Sequence, residues 1–465
     1  MKNRLSKHRF YSFCRPVILC LLLFSLALFS KEAVAQNLAV GIDQGVTSGT
    51  VKGSNISLTD GSGRIVQISG ENSVYFSGGG VQIGGKSFSL PIKMTSSEMI
   101  SWAKTRYRGV LRLIAAPTGF TVVNDIDIEN YLRGILKIEM NPDWPPEALK
   151  AQAILARTYA LRNKKRHQQQ GFDLCSLSHC QNYRGANAET DRTDLAVNAT
   201  KGQILTWNGS VADVYYHSDS GGATSDIVSV WGKRTPYLVT RTEPVVYTSP
   251  NSNWTARLTA SQIESALTKM GQPVGALRSV QILERDGSGR VTLLEIQGSL
   301  RTQRVKGHAL RMALGSNLLK STNFNIVLSD LGNIAAAPAP ISGTRSISRS
   351  ISLKTDPLVE MTQQGIFSSK ELMDMLLHPE NRDKYMEMAQ ARLGGKMSMP
   401  MTDEPSVQES IPVPQSNGTG GIQIAGKGWG HGVGLSQWGA KALAEQGWSY
   451  QRILEHYFPG TRITP

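Results

Sequence analysis

The stretch LKIEMNPDWPPEALKAQAILARTYAL, Leu136 to Leu161, constrains the fold more than any other. Leu149, Ala153, Ala156 and Ala160 recur at three- and four-residue spacing, which makes a narrow stripe of mostly small side chains along one helix face. Small side chains let a neighbouring element approach closely, so the spacing predicts a helix buried deep in a core. Its punctuation agrees. Pro145-Pro146 suits a first helical turn, because proline lacks the donor that would be orphaned there. Glu147 lies near the positive end of the helix dipole, and the cations between Arg162 and Arg166 lie near the negative end. Just upstream, IENYLRGILKIE sets Ile128, Tyr131, Leu132, Ile135 and Ile138 on one apolar face. A second helix is therefore predicted, and Glu139 stands at its end, ahead of the Pro-rich turn.

The flanks have other textures. Residues 36–125 are Gly- and Ser-rich with short β-branched or aromatic runs such as SVYFSGGGVQIGG, the pattern of strands joined by tight turns. Residues 200–330 return to strand-like alternation with one helical signal, LTASQIESAL, in which Thr259 is placed as an N-cap and Glu264 lies further in. From 335 to 420 the chain turns rich in Ala, Pro, Ser and Met, and eight of the 14 methionines fall between Met361 and Met401. Ser368 and Glu371 form a capping box there before LMDMLL. This segment reads either as a solvated insertion or as an adaptable Met-lined docking surface. Residues 421–465 bring a Gly-rich loop and two short helices. The fold class is α+β: a strand-rich N-terminal part (36–125), a mixed α/β core (126–334) with a buried helix after Glu139, the insertion, and a C-terminal block that completes the core. No repeat of 20–50 residues is present.

The N-terminus bears on location. Lys2, Arg4, Lys7, Arg9 and Arg15 precede the apolar run Val17–Phe29, and Ala33-Val34-Ala35 follows. That is the layout of an export signal over residues 1–35, cut after Ala35. The alternative is an uncleaved anchor, although the run is short against the ~20 residues that span a bilayer. Export would put the protein in the periplasm, the cell envelope or the extracellular space, with no membrane-spanning segment once the signal is removed. The formal charge of the whole chain is +14, and removing the signal leaves 44 Lys/Arg against 35 acids. A basic exported chain suits an anionic envelope polymer or lipid head groups. No nucleic-acid-binding motif is present. Cys14 and Cys20 leave with the signal, so Cys175 and Cys180 remain.

Five stretches can carry chemistry. Glu139, at the end of an apolar helix beneath Trp144, is placed to be partly desolvated, which raises a carboxyl's pKa and suits it to general-acid work on a glycosidic bond. The plainer alternative is an ion pair with Lys137 or Lys150. Lys150 and Arg157 are two turns apart and share a face distinct from the Ala stripe, the pattern of a salt-bridged solvated surface. In RHQQQGFDLCSLSHCQNY, His167, Cys175, His179 and Cys180 make a two-His, two-Cys set within 14 residues. It suits closed tetrahedral zinc with a structural role. A Cys175–Cys180 disulfide and free thiols are the alternatives, and the adjacent His179-Cys180 departs from common zinc spacing. In YYHSDSGGATSD, His217 and Ser218 are neighbours in a strand and point to opposite faces, which argues against a Ser-His hydrolase. Ser218, Ser220 and Thr224 better line a groove. Finally, GKGWGHGVGLSQWG surrounds Trp429 and His431 with glycines that let the backbone approach a ligand.

Together these blocks resemble the SpoIID family, the stage II sporulation protein D group, with its LytB-type amidase-enhancer relatives. NDIDIENYLRGILKIEM followed by WPPEALKAQAILARTYAL is similar to the family's core signature. GFDLCSLSHCQNYRG, YHSDSGGATSD, VWGKRTPYL and GWGHGVGLSQWGAKALAEQGWSYQRILEHYFPGT match later blocks in the same order. The resemblance covers about residues 36–334 and 421–463. It implies a peptidoglycan lytic transglycosylase that cleaves the β-1,4 bond between N-acetylmuramic acid and N-acetylglucosamine in glycan strands, preferably strands without stem peptides, and leaves 1,6-anhydro ends. Glu139 would be its catalytic acid and base. Lys150, Gln152, Arg157, Ser218, Ser220 and Tyr237, with Trp429 and His431, would bind glycan or hold Glu139. The resemblance also implies zinc at His167, Cys175, His179 and Cys180, no organic cofactor, and, on the amidase-enhancer side, a cell-wall amidase as partner.

Overall fold

The computed structural model describes residues 37–329 and 420–465. The segment expected to be an export signal, the expected insertion and its Ser368–Glu371 capping box lie outside the described residues. Among the described residues, no helix is long and apolar enough to cross a membrane.

The Gly-rich N-terminal region forms strands, as its alternation predicts. They build an eleven-stranded, mostly antiparallel sheet in which Asn37–Val46 pairs with Phe120–Asp127 and, in parallel, with the short Leu174–Cys175. Val40, Ile56, Leu58, Ile92, Leu113, Phe120 and Val122 lie at 0% exposure in its core. The sheet runs straight into helix α1 (Ile128–Glu139). Asp127, the last strand residue, caps that helix by accepting from the Glu129 and Asn130 N–H groups, both at 3.1 Å. The start of α1 is thus tied to the sheet, which settles where its last residue, Glu139, emerges.

Helix α1 buries Ile128, Tyr131, Leu132, Ile135 and Leu136. Ile138, expected on the same apolar face, is instead 44% exposed: Leu136 at 0% and Met140 at 2% keep the last turn in the core, and Ile138 lies at the margin of that face. Helix α2 (Pro146–Arg162) follows after the Pro-rich turn. Its stripe of small residues is buried as expected, and the burial reaches further round the helix, to Gln152, Leu155, Arg157 and Thr158. A helix enclosed on most sides belongs in the centre of a core. Packed on it are α1, α3 (Asp191–Ala199), α7 (Gln437–Glu445) and α8 (Tyr450–Tyr457). The two C-terminal helices are those predicted after the Gly-rich loop.

Residues 254–326 hold a hydrophobic core of their own, joined by Ile422 and Ile424. Helix α5 (Ala260–Lys269) starts with Thr259 as predicted, in a capping box with Gln262, while Glu264 accepts the Leu277 N–H at 2.6 Å. Within 200–330, two elements are helical where the sequence reads as strand or loop: α4 (Ile227–Trp231), whose Ile227 joins the core around α2, and α6 (Gly307–Leu314). Strand Gly421–Gly426, read in sequence as loop, lies between Trp254–Thr259 and Phe324–Ser329. Beyond it, Leu435–Ser436 pairs in parallel with Tyr216–His217 and so brings the C-terminal block against the loop that follows Tyr216.

Candidate functional site

The end of α1 meets the start of α7 at Glu139. Its side chain is half-buried, and among the described residues it forms no ion pair. Lys137 is exposed and Lys150 is paired with Glu147 at 2.7 Å, so the salt-bridged alternative for Glu139 is not realised. Desolvation pushes the carboxyl up to about 7. Three influences oppose that rise: the Asn182 backbone N–H, the Gln437 side chain and, more distantly, the Arg184 charge. Below it, Trp144 from the Pro-rich turn packs edge-on against Trp438 at 4.9 Å. Tyr216 is half-buried, and its phenol is driven well above its usual range by desolvation first and by Glu139 second.

Hydrogen bonds between helix and loop hold this frame together. Gln437 Nε2 lies 3.5 Å from Gln152 Oε1, while Gln152 Nε2 is buried with no hydrogen-bond partner. Gln181 accepts from the Tyr131 hydroxyl and donates to the Tyr216 oxygen and the Ala156 carbonyl, each at 3.2 Å. Gln152 is therefore the member of the α2 set that reaches the residues around Glu139. The others do not. Arg157, expected to bind glycan or to hold Glu139, is 1% exposed and bidentate to Glu129 at 2.6 and 3.0 Å. Its third nitrogen donates to the Gln203 carbonyl at 3.0 Å, so it locks α1 to α2 and cannot touch a ligand. Lys150 is held by Glu147 and lies 5.8 Å over the Tyr450 ring of α8.

The loop after Tyr216 is likewise mixed. Ser218 is half-buried, and its carbonyl accepts the Trp438 N–H at 3.0 Å. Ser220, expected to line a groove, is buried and donates to Glu243 at 2.7 Å. Tyr237 is buried too; its hydroxyl accepts the Asp213 N–H at 2.7 Å, and its ring packs on Trp207. These two hydroxyls are spent inside the protein. His217 faces the Val433 carbonyl at 3.2 Å and makes no pair with Ser218, in keeping with the strand geometry. Trp429 is half-buried beneath the Lys320 ammonium, 5.6 Å from the ring centre. His431 accepts the Val433 N–H at Nδ1 and packs on Trp231 at 5.0 Å; burial holds its pKa down at about 3, so it is neutral.

Sequence reading missed Glu243. It is buried, takes hydrogen bonds from Ser220 and Tyr457, each at 2.7 Å, and is pushed up to about 7 by desolvation. Nothing around RTEPVVY marks it, because both partners lie far away in the chain.

His167, Cys175, His179 and Cys180 come together, their ligand atoms all within 4.8 Å of one another. Cys180 Sγ lies 3.4 Å from His167 Nε2 and 3.6 Å from His179 Nδ1, and Cys175 Sγ lies 3.7 Å from His179 Nδ1. Tetrahedral zinc with bonds of about 2.0–2.3 Å has ligand-to-ligand edges of about 3.5 Å, so the spacing fits. The second nitrogen of His167 suits a ligating imidazole, with Nδ1 facing Gln170 Oε1 at 2.5 Å, whereas His179 Nε2 faces the Arg166 guanidinium at 3.4 Å, a group that can only donate. The two thiols are not joined. This group could hold a metal ion, and the same loop carries on to Gln181, Asn182 and Arg184 beside Glu139.

The family described as Stage II sporulation protein, SpoIID, matches residues 116–207, and a domain of unknown function matches residues 247–335. The chain is similar to an amidase enhancer of Bacillus subtilis (strain 168), 29% identical over 336 residues, which are 72% of this chain and 40% of that protein. It is similar to a stage II sporulation protein D of Bacillus amyloliquefaciens, 24% identical over 357 residues, 74% of this chain and 75% of that one. An uncharacterized protein of Brachyspira hyodysenteriae is 26% identical over 361 residues, 77% of this chain and 72% of its own length. The chain thus spans less than half the length of the amidase enhancer.

Proposed function

The chain belongs to the SpoIID family, with an amidase enhancer among its relatives, and from that premise we propose that it is an exported lytic transglycosylase of peptidoglycan. The observation that carries the reading is the Glu139 carboxyl: half-buried, without an ion pair, and balanced near neutral pH. Glu139 in its acid form protonates the oxygen linking N-acetylmuramic acid to N-acetylglucosamine. The C6 hydroxyl of the muramyl sugar then attacks C1, and the Glu139 carboxylate takes up its proton. The enzyme ends as it began and the sugar ends as a 1,6-anhydro ring. A single carboxyl suffices because the sugar's own hydroxyl replaces a hydrolytic water.

The surroundings of Glu139 serve both halves of that cycle. Desolvation keeps the proton on before cleavage, while the Asn182 N–H and the Gln437 amide steady the carboxylate that exists between the two transfers. His167, Cys175, His179 and Cys180 would hold zinc as a closed set, with no place for a reacting water, and bound zinc would act by fixing the loop that presents Asn182. Mass spectrometry of digests of denuded and peptide-bearing glycan tests the reading. Anhydromuramyl products with the wild-type chain and none with Glu139→Gln support it; equal products from both defeat it.

A second reading is favoured by one comparison, the amidase enhancer that matches 72% of this chain. Here the chain binds glycan without cutting it and stimulates a cell-wall amidase. Protein inert on denuded glycan that raises amidase turnover would establish this second role.

A further inference from the structure

Residues 247–335 carry no assigned role, yet their turn at 286–290 reaches out of its own core into the loops around α7. Arg290, 1% exposed, donates through Nη2 to the Ser220 carbonyl at 2.6 Å. Its guanidinium lies flat against Gly432: a Cβ there would come within 2.5 Å of Nε, so only glycine admits it. Asp286 closes the turn by accepting the Ser288 and Arg290 N–H groups at 2.9 and 3.0 Å, and its other oxygen accepts the Ser225 hydroxyl. Ser225 in turn donates its N–H to the Gly432 carbonyl at 2.8 Å. One turn is therefore stapled to two loops at once.

The arrangement is costly. Nε and Nη1 of Arg290 are buried without hydrogen-bond partners, no described carboxylate forms an ion pair with it, and burial pushes its pKa down to about 10. A surface ion pair would join two domains at less expense. What Arg290 holds gives the reason. The Ser220 N–H donates to Ser436 Oγ at 3.1 Å, and that hydroxyl caps α7 by accepting the Gly439 N–H at 3.2 Å. Two residues away, the Ser218 carbonyl accepts the Trp438 N–H. The residue between these two anchors is Gln437, whose side chain bonds Gln152 and helps hold the Glu139 carboxyl down.

We propose that Arg290 is a positioning residue for Glu139, acting through Ser220 and Ser436 on the first turn of α7, and that residues 247–329 serve to order that turn. The proposal deepens the transglycosylase reading but is tested without turnover. In the full chain with ¹³C-labelled Glu carboxyls, the Glu139 resonance is assigned by its loss in Glu139→Gln and titrated by NMR. Asn182, Gln437, Arg184 and Tyr216 are the groups that act on it.

With Gln437 slackened, Arg290→Met moves the Glu139 midpoint up by about half a pH unit or more, and Arg290→Lys, which keeps one donor, moves it less. Leu294→Ala, in the same segment's core, lowers Tm and leaves the midpoint in place. Arg290→Met adds no further shift in a Gln437→Ala background, since both changes act through one amide. An unmoved midpoint in folded Arg290→Met, or Arg290→Lys should Met not fold, overturns the proposal. So does a shift of equal size in Leu294→Ala, or full additivity with Gln437→Ala. A chain inert on glycan would sink the transglycosylase reading and leave this result standing.

Discussion

The Gln437 side chain, from the opposite end of the chain, opposes the rise in the Glu139 pKa, and its Nε2 donates to Gln152 Oε1 on the buried helix at 3.5 Å. After burial and the Asn182 N–H, the next influence on the acid at the end of α1 comes from the first turn of α7. Gln437→Ala should raise the Glu139 midpoint by about one unit, the worth of a hydrogen bond to a charged group. The alkaline limb of a pH–rate profile should move with it while Tm changes little. A fixed profile would show that the Gln437 contact does not matter.

Glu139→Gln should lower anhydromuramyl product formation by about 10²–10⁴-fold, the usual weight of a general acid. Glycan affinity in a pull-down should stay within about twofold, because the amide keeps the shape of the side chain. Loss of binding together with cleavage would count against a role in proton transfer.

Stability should fall as pH rises from about 4.5 to about 7 and then level off. Both Glu139 and Glu243 carry a proton in the folded state up to about 7, whereas the unfolded chain releases it near the ordinary glutamate value of about 4.5. The unfolded state therefore binds fewer protons across that window, and each group removes at most about 3 kcal/mol. Melts across this range should flatten in part in Glu139→Gln and in Glu243→Gln. Turnover should fall over the same upper limb, through about 7, in wild type.

Arg157→Ala should cost about 3–5 kcal/mol in denaturant unfolding, since it leaves Glu129 half-buried without its partner. The Glu139 midpoint of the folded fraction should stay where it is. A selective loss of glycan affinity at unchanged stability would return Arg157 to the binding surface.

Metal analysis of protein purified without chelator should find about one zinc per chain. Its removal should lower Tm and raise the Glu139 midpoint together, because the loop that holds the ion also presents Asn182. A Cys175–Cys180 disulfide found by non-reducing mass spectrometry would replace the metal. Chelation that stopped cleavage at unchanged Tm would point to a catalytic ion.

The helices α1 and α2, the cap at Thr259 and the strand-rich N-terminal region were legible because each rests on local spacing: periods of two or near 3.6 and a side chain bonding three residues ahead. The sites were legible only in part. Spacing put Arg157 on a surface, but its partner Glu129 lies on the preceding helix and draws it inward. Ser220 and Tyr237 read as groove hydroxyls and are spent on Glu243 and Asp213. Ile138 followed the period of its helix and still emerged, since periodicity says which face a residue takes and not where the core stops.

By itself, the order of residues determined that a small-residue helix lies at the centre, that Glu139 ends the helix before it, and that two histidines and two cysteines stand close enough in the chain to share an ion. Only the tertiary structure decided how far Glu139 is desolvated and which groups oppose that. The backbone N–H of Asn182, the side chain of Gln437 and the charge of Arg184 come from segments far from Glu139 in sequence. A pKa depends on what surrounds a group in space, and that surrounding is assembled by long-range packing that no local pattern encodes.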